Sequence, residues 1–202
     1  MTVHGRYTGI LRDDLSYAFD MDAQDFPGVD FSDGLYRANM RRIQAMSNAA
    51  ALTTQVMTSV PLFLRAGDVV TSLTTMSATT AANTPTNYWY ALYNPSGALL
   101  RQTADQEDDA WVANTVKTLA LTAPVTIATT GWHRVGIMVK ATAVPTLAGV
   151  TLHHANLSAL MVTGSGELVL SGTSNGSSLT DTAPSTLGAL TAIAGVPYVV
   201  AT

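Results

Sequence analysis

The sequence predicts a mainly β protein: an antiparallel β-sandwich or jelly roll of about eight strands, preceded by an extended N-terminal arm and one short helix. Three observations predict it. Threonine is confined to the second part of the chain, with only Thr2 and Thr8 before residue 50 and 27 after it. Short apolar runs recur from residue 54 onward with turn signals between them and no intervening helical pattern, the spacing of a sandwich, jelly roll or barrel. Charge shifts as well: Asp13, Asp14, Asp20, Asp22, Asp25, Asp30 and Asp33 face only Arg6 and Arg12, so residues 1–34 carry -5 and the remainder +1.

Three regions follow: an acidic and aromatic docking arm over 1–34, a helix over 35–50 and a β-sandwich domain over 51–202. In SDGLYRANMRRIQAMSNAA (32–50), Ser32 can cap the amino end and Asp33 suits the first turn. Leu35, Asn39, Ile43, Met46 and Ala50 fall on roughly one face, and Arg37, Arg41 and Arg42 form a basic patch on the other. In the β part, QVMTSVPLFL leads through the turn RAGD into VVTSLTTM, and NYWYALY, NPSG and ALLR form a hairpin. VKTLALT, GWHRVGIMVKA, GVTLHHANLSALMV, ELVLSG and GVPYVVAT complete the series. Pro61 marks its run as an edge or bulged strand, because proline cannot donate to a ladder. SATTAANTPTN (77–87) and SGTSNGSSLTDTAPSTLG (171–188) read as long polar loops, either surface linkers or carbohydrate contacts.

Several functions are disfavoured by composition. The chain of 202 residues has no cysteine, which excludes disulfides, thiolate metal sites and a cysteine nucleophile. A formal charge of -4 argues against general nucleic-acid binding, which draws its affinity from a basic surface. No uninterrupted apolar stretch is long enough to span a bilayer and the start lacks a secretory pattern, so the expectation is no membrane insertion and assembly in the cytoplasm.

The stretch FDMDAQDFPGVDFSDG (19–34) holds three of the four phenylalanines. Counted from Asp20 as an EF-hand loop, it places Asp25 where glycine is needed and Phe31 where glutamate is needed, so that motif fails. A less regular calcium site from Asp20, Asp22 and Asp25 stays open beside a solvated acidic loop. Asp105, Glu107, Asp108 and Asp109 in DQEDDAW read as an exposed loop, with a hydrolase role as the competing hypothesis. Of His4, His133, His153 and His154, the adjacent pair cannot easily share a metal on a strand, because neighbouring side chains point to opposite faces. His133 is expected to point outward. No hydrolase, zinc-protease, phosphate-loop or dinucleotide fingerprint occurs, so the expectation is no enzyme, no cofactor and no metal.

The segment from about 54 to 140 resembles a β domain of minor tail and fibre-like proteins of tailed bacteriophages. VPLFLRAGDVVTSLTTMSATTAA, YWYALYNPSGALLRQTADQ and WVANTVKTLALTAPVTIATTGWHRVGIMVKA carry the resemblance. It implies a non-enzymatic virion component, a homotrimer or other symmetric oligomer, on the tail in preference to the capsid, with other virion proteins as partners. The first 50 residues lie outside the shared pattern. Tyr17, Phe19, Phe26 and Phe31 of the arm, with Tyr36, Arg41 and Arg42 beyond it, are the expected docking residues, since an extended segment cannot bury its own rings. Tyr88, Tyr90 and Trp111 are the expected contacts for a host cell-surface glycan, if their rings are exposed.

Overall fold

The computed structural model describes residues 37–40, 42–45, 47–151 and 172–202. The chain divides after Tyr36, and the described residues all belong to the second unit. They form eleven strands of three residues or more and two of only two residues: β1 (Arg37–Ala38), β2 (Ser47–Ala51), β3 (Met57–Leu64), β4 (Val69–Met76), β5 (Asn83–Tyr93), β6 (Leu99–Gln102), β7 (Val116–Thr126), β8 (Gly131–Ala143), β9 (Thr146–Thr151), β10 (Thr173–Asn175), β11 (Thr191–Ala192), β12 (Gly195–Pro197) and β13 (Val199–Ala201). The strands pair antiparallel throughout in three sheets, ordered β1-β13-β4-β7, β11-β10-β3-β8-β5-β6 and β12-β9-β2.

Side-chain alternation explains how two of these sheets share a core. Along β3 the residues Val60, Leu62 and Leu64 face inward, as do Tyr88, Tyr90 and Leu92 on β5 and Val135, Ile137 and Val139 on β8. The four-stranded sheet supplies Val70, Leu73, Leu119, Leu121, Val125, Val199 and Ala201 to the same cluster. With period two, every second residue points one way, so these runs commit one whole face of each sheet to the interior. Leu147 and Val196 of the third sheet join that core.

The turns follow their sequence. In Arg65–Asp68 the Asp68 N–H donates to the Arg65 carbonyl at 3.0 Å, with Gly67 at φ +92°. A type II turn needs a positive φ at its third residue, which glycine adopts without a Cβ clash. In Asn94–Gly97 the Gly97 N–H donates to the Asn94 carbonyl at 2.9 Å, and Asn94 Oδ1 also accepts from Ala98 N–H.

The expected helix over 35–50 does not form. Its described residues give β1, a three-residue 3-10 turn at Arg42–Gln44, and β2. Tertiary pairing outweighs a weak local preference here. Asn39, the flaw in the apolar stripe, clamps β13: its amide donates to the Pro197 carbonyl at 2.8 Å and its Oδ1 accepts from Val199 N–H at 2.9 Å. Ile43, expected on the apolar face, is 76% exposed. Arg37 leaves the supposed basic patch to bind Asp68 through two bonds of 2.7 Å.

The strand count also exceeds the expected eight, although residues 152–171, which hold most of GVTLHHANLSALMV and ELVLSG, lie outside the described residues. The helical segment yields β1 and β2, and the polar loop yields β10. GVPYVVAT divides at Tyr198, whose N–H still donates to Ala148 of the third sheet at 2.9 Å before the chain passes into β13. Pro61 sits where β3 is bonded only to β8 among the described residues, since β10 pairs with Met57–Ser59 alone, as its missing N–H requires.

Candidate functional site

The rings expected to contact a glycan lie inside the protein. Tyr88 and Tyr90 are fully buried and Trp111 is 1% exposed. Alternation along NYWYALY turns Tyr88, Tyr90 and Leu92 into the core and Trp89, Ala91 and Tyr93 to the opposite face. Trp111 packs on both tyrosines, with centroids 5.4 Å from Tyr88 and 5.9 Å from Tyr90. These rings therefore have no face to offer a sugar, and the expectation is corrected.

The Tyr88 hydroxyl is tied into the acidic loop. Tyr88 donates its hydroxyl to Asp109 Oδ2 at 2.9 Å, and Lys117 Nζ donates to the same oxygen at 2.9 Å while lying 5.4 Å from the Tyr88 ring centroid. The hydrogen bond from Lys117, then that from Tyr88, holds the Asp109 carboxyl below its ordinary range. Tyr90 exchanges a hydrogen bond with Thr75 at 3.0 Å, and burial pushes its hydroxyl far upward. Asp105 accepts from Tyr88 N–H at 2.8 Å and from the Asn87 amide. Two of the four carboxylates weighed for hydrolysis thus hold strand ends and a ring in place.

His133 turns inward, not outward. It shares the core-facing phase of Val135 and is 1% exposed, with Nδ1 donating to the Gly131 carbonyl at 3.0 Å. Burial lowers its pKa, against smaller opposing effects of the Gly131 carbonyl and Asp68. Among the described residues there is no group of three or more His, Asp or Glu placed to hold a metal, and no helix long and apolar enough to cross a membrane.

The outer face of the six-stranded sheet carries the feature that sequence reasoning missed. Register stacks it in rows: Met57, Met138 and Trp89; then Ser59, Gly136 and Ala91; then Pro61, Arg134 and Tyr93; and last Phe63 and Trp132. Gly136 leaves room for Met57 in the second row, because a Cβ there would meet Met57 Sδ at 2.3 Å. Residues 176–190, expected to be a surface linker or a carbohydrate loop, form a strap over the first rows. Leu179, Ala183 and Leu187 pack with Met57, Trp89, Ala91, Tyr93 and Met138. Trp89 Nε1 donates to the Thr180 carbonyl at 2.7 Å, Tyr93 to the Pro184 carbonyl at 3.0 Å, and Ala183 N–H to Gln102 Oε1 at 2.7 Å. In the third row Arg134 is buried against Ser59, through Nε to its hydroxyl at 3.1 Å and NH2 to its carbonyl at 3.2 Å.

The strap leaves the last row open. Phe63 is 44% exposed and Trp132 36%, edge to face with centroids 5.4 Å apart and an interplanar angle of 74°. Phe63 is the one phenylalanine outside the arm, directly after a run of buried residues, and alternation along MTSVPLFL could have placed it outward.

Of the expected docking residues, Arg42 lies exposed in the 3-10 turn. Tyr17, Phe19, Phe26, Phe31, Tyr36 and Arg41 fall outside the described residues, as do Asp20, Asp22, Asp25, His4, His153 and His154. In the comparisons with known proteins, no family model matches the chain, and neither does any curated protein.

Proposed function

We propose that this protein is a non-enzymatic structural component of a bacteriophage virion, a minor tail protein at the tail tip or fibre, built on a jelly-roll sandwich. The observation that carries the proposal is strand order. Count β1, β3, β4, β5, β6, β7, β8 and β13 as the first to eighth strands. One sheet then runs first-eighth-third-sixth and the core of the other second-seventh-fourth-fifth. That order supports reading the fold as the double Greek key of a jelly roll, an architecture that serves in viral capsids and lectins. A shared architecture does not by itself specify a function. The reading joins it to the fibre-like resemblance of residues 54–140, to the lack of a catalytic fingerprint in the sequence, and to an acidic, ring-rich leader suited to gripping a neighbour.

In this proposal the domain assembles as a homo-oligomer, with a trimer favoured, and residues 1–34 dock on adjoining virion proteins. A capsid decoration or head fibre is the same role at another position on the particle. The test is deletion of residues 1–34 followed by particle assembly. The truncated chain should fold yet be missing from purified particles; incorporation at the normal level would overturn the anchoring role. Mass measurement of the full chain in solution tests the oligomer, and a monomer at assembly concentrations would remove it.

A host-glycan receptor module is a second reading, supported by the open Phe63–Trp132 row.

A further inference from the structure

We propose that Phe63 and Trp132 form the stacking platform of a saccharide subsite that takes a neutral hexopyranose unit by its apolar C–H face. The argument starts from where the rings are. Three rows of the outer face are closed, and only the last presents aromatic surface. A binding platform must be rigid before the ligand arrives. Phe63 and Trp132 sit opposite one another in register, between the pairs Leu62–His133 and Leu64–Gly131, whose Leu62, Leu64 and His133 side chains are anchored in the interior. The edge-to-face geometry fixes both rings and leaves ring surface open to solvent.

The surroundings decide between a sugar and a protein. Rings of this size bury at most about 150–250 Å² each, so two half-open rings offer on the order of 200 Å². A stable protein interface needs about 800 Å² per partner, whereas one sugar ring covers a patch of the smaller size. Polar turns border the row. Ala66 N–H donates to Thr130 Oγ1 at 2.9 Å, which joins the Arg65–Asp68 turn to the start of β8. Pro95 of the Asn94–Gly97 turn stands 3.4 Å from the position a Gly131 Cβ would take. Arg65 and Ser96 are exposed on these two turns, and Thr129 is exposed just before β8. An apolar ring face beside turns that carry exposed guanidinium and hydroxyl side chains suits a pyranose, which has an apolar face and a rim of hydroxyls. The subsite stands independently of the virion reading.

The test uses the full chain and its own fluorescence. Of the three tryptophans, Trp89 and Trp111 are buried and Trp132 is exposed, so iodide quenching reports on Trp132. Maltohexaose, cellohexaose and chitotetraose are titrated separately to about 10 mM, ten times the concentration that half-fills a site of millimolar affinity. At least one should shield Trp132 from iodide. Phe63→Ala should weaken that protection at least tenfold while leaving the thermal midpoint within a few degrees of the parent. No shielding by any of the three would overturn the proposal. So would shielding that Phe63→Ala leaves intact. Trp132 already closed to iodide in the free oligomer, and opened by dilution, would assign the row to a second copy of the chain and likewise overturn it. Particle incorporation is read separately, so failure here and failure of the virion reading are distinct results.

Discussion

Two groups of rings lie toward opposite ends of β8 and differ in almost every physical respect. Tyr88, which pairs with Val139, meets Tyr90 and Trp111 between the sheets, while Phe63 and Trp132 meet outside them. The inner group is buried, and both tyrosine hydroxyls have partners, while the Trp111 indole N–H has none among the described residues. The outer pair needs no partner because it carries one polar atom, the Trp132 indole N–H, and is open to water. What separates them is phase. NYWYALY is the densest aromatic run of the chain and so attracts attention as a binding surface, but period two sends half of it into the core and the other half under the strap. The surface rings come from two separate runs with one ring each, brought side by side by the β3–β8 register.

The sharpest way to break this comparison is to remove one indole from each group. Trp111→Ala should cost about 3–5 kcal/mol, the range for a buried aromatic truncated to alanine; Trp132→Ala should cost less than about 1 kcal/mol, as surface changes do. Urea denaturation measures both, and equal losses would mean that the outer pair is part of the core.

A smaller effect probes the turn beside the outer pair. Asp68 accepts Arg37 Nε and NH2 and also Arg65 N–H, each at 2.7 Å, so Asp68→Ala should cost about 2 kcal/mol, the scale of hydrogen bonds to charged groups. Proteolysis near residue 66 should rise with it. An unchanged urea midpoint would show that this end is held by packing alone.

Gly136→Ala distinguishes the closed rows from the open one. The new methyl meets Met57 Sδ beneath the strap, and overpacking should cost about 1–2 kcal/mol. In a Met57→Ala background the same change should cost less, because the two residues share one space. Additive losses in that double-mutant cycle would remove the proposed clash.

The least effect is expected from pH. Burial holds His133 below the ordinary histidine value of 6.5, so the unfolded chain takes up this proton first. Its contribution is therefore level above about 6.5 and declines as pH falls below it. Urea midpoints at pH 7.5 and pH 5.5 should show this decline, and His133→Gln should flatten it. An unaltered slope in the variant would assign the acid sensitivity to other groups.

Much of the β part was legible in the sequence. VVTSLTTM matches β4 residue for residue, and RAGD and NPSG form the turns their glycines imply. These segments succeed because local chemistry and sheet pairing agree. The helix over 35–50 failed because Asn39 and Arg37 make bonds to residues far away in sequence, Pro197 and Asp68, which no local window contains. The polar loop over 171–188 misled for a similar reason. Its few apolar residues, Leu179, Ala183 and Leu187, are too widely spaced to read as a strand, and they matter only because they meet Trp89 and Tyr93. The placement of Tyr88 and Tyr90 turned on which face of β5 is inner, and Trp89 between the tyrosines made both phases look equally aromatic.

The placement of β13 between β1 and β4 has a consequence for how the molecule comes into being. Ala38 waits for Val200, and Asn39 for Val199, so the four-stranded sheet cannot close while residues 199–201 are still within the ribosome. Until then β4 and β7 can pair with each other, but Leu73 and Leu119 lack the cover that Val199 and Ala201 supply. Distant pairings of this kind form slowly and leave apolar edges open in the meantime. Residue 200 thus acts as a timing device, because one sheet is withheld until synthesis has passed it.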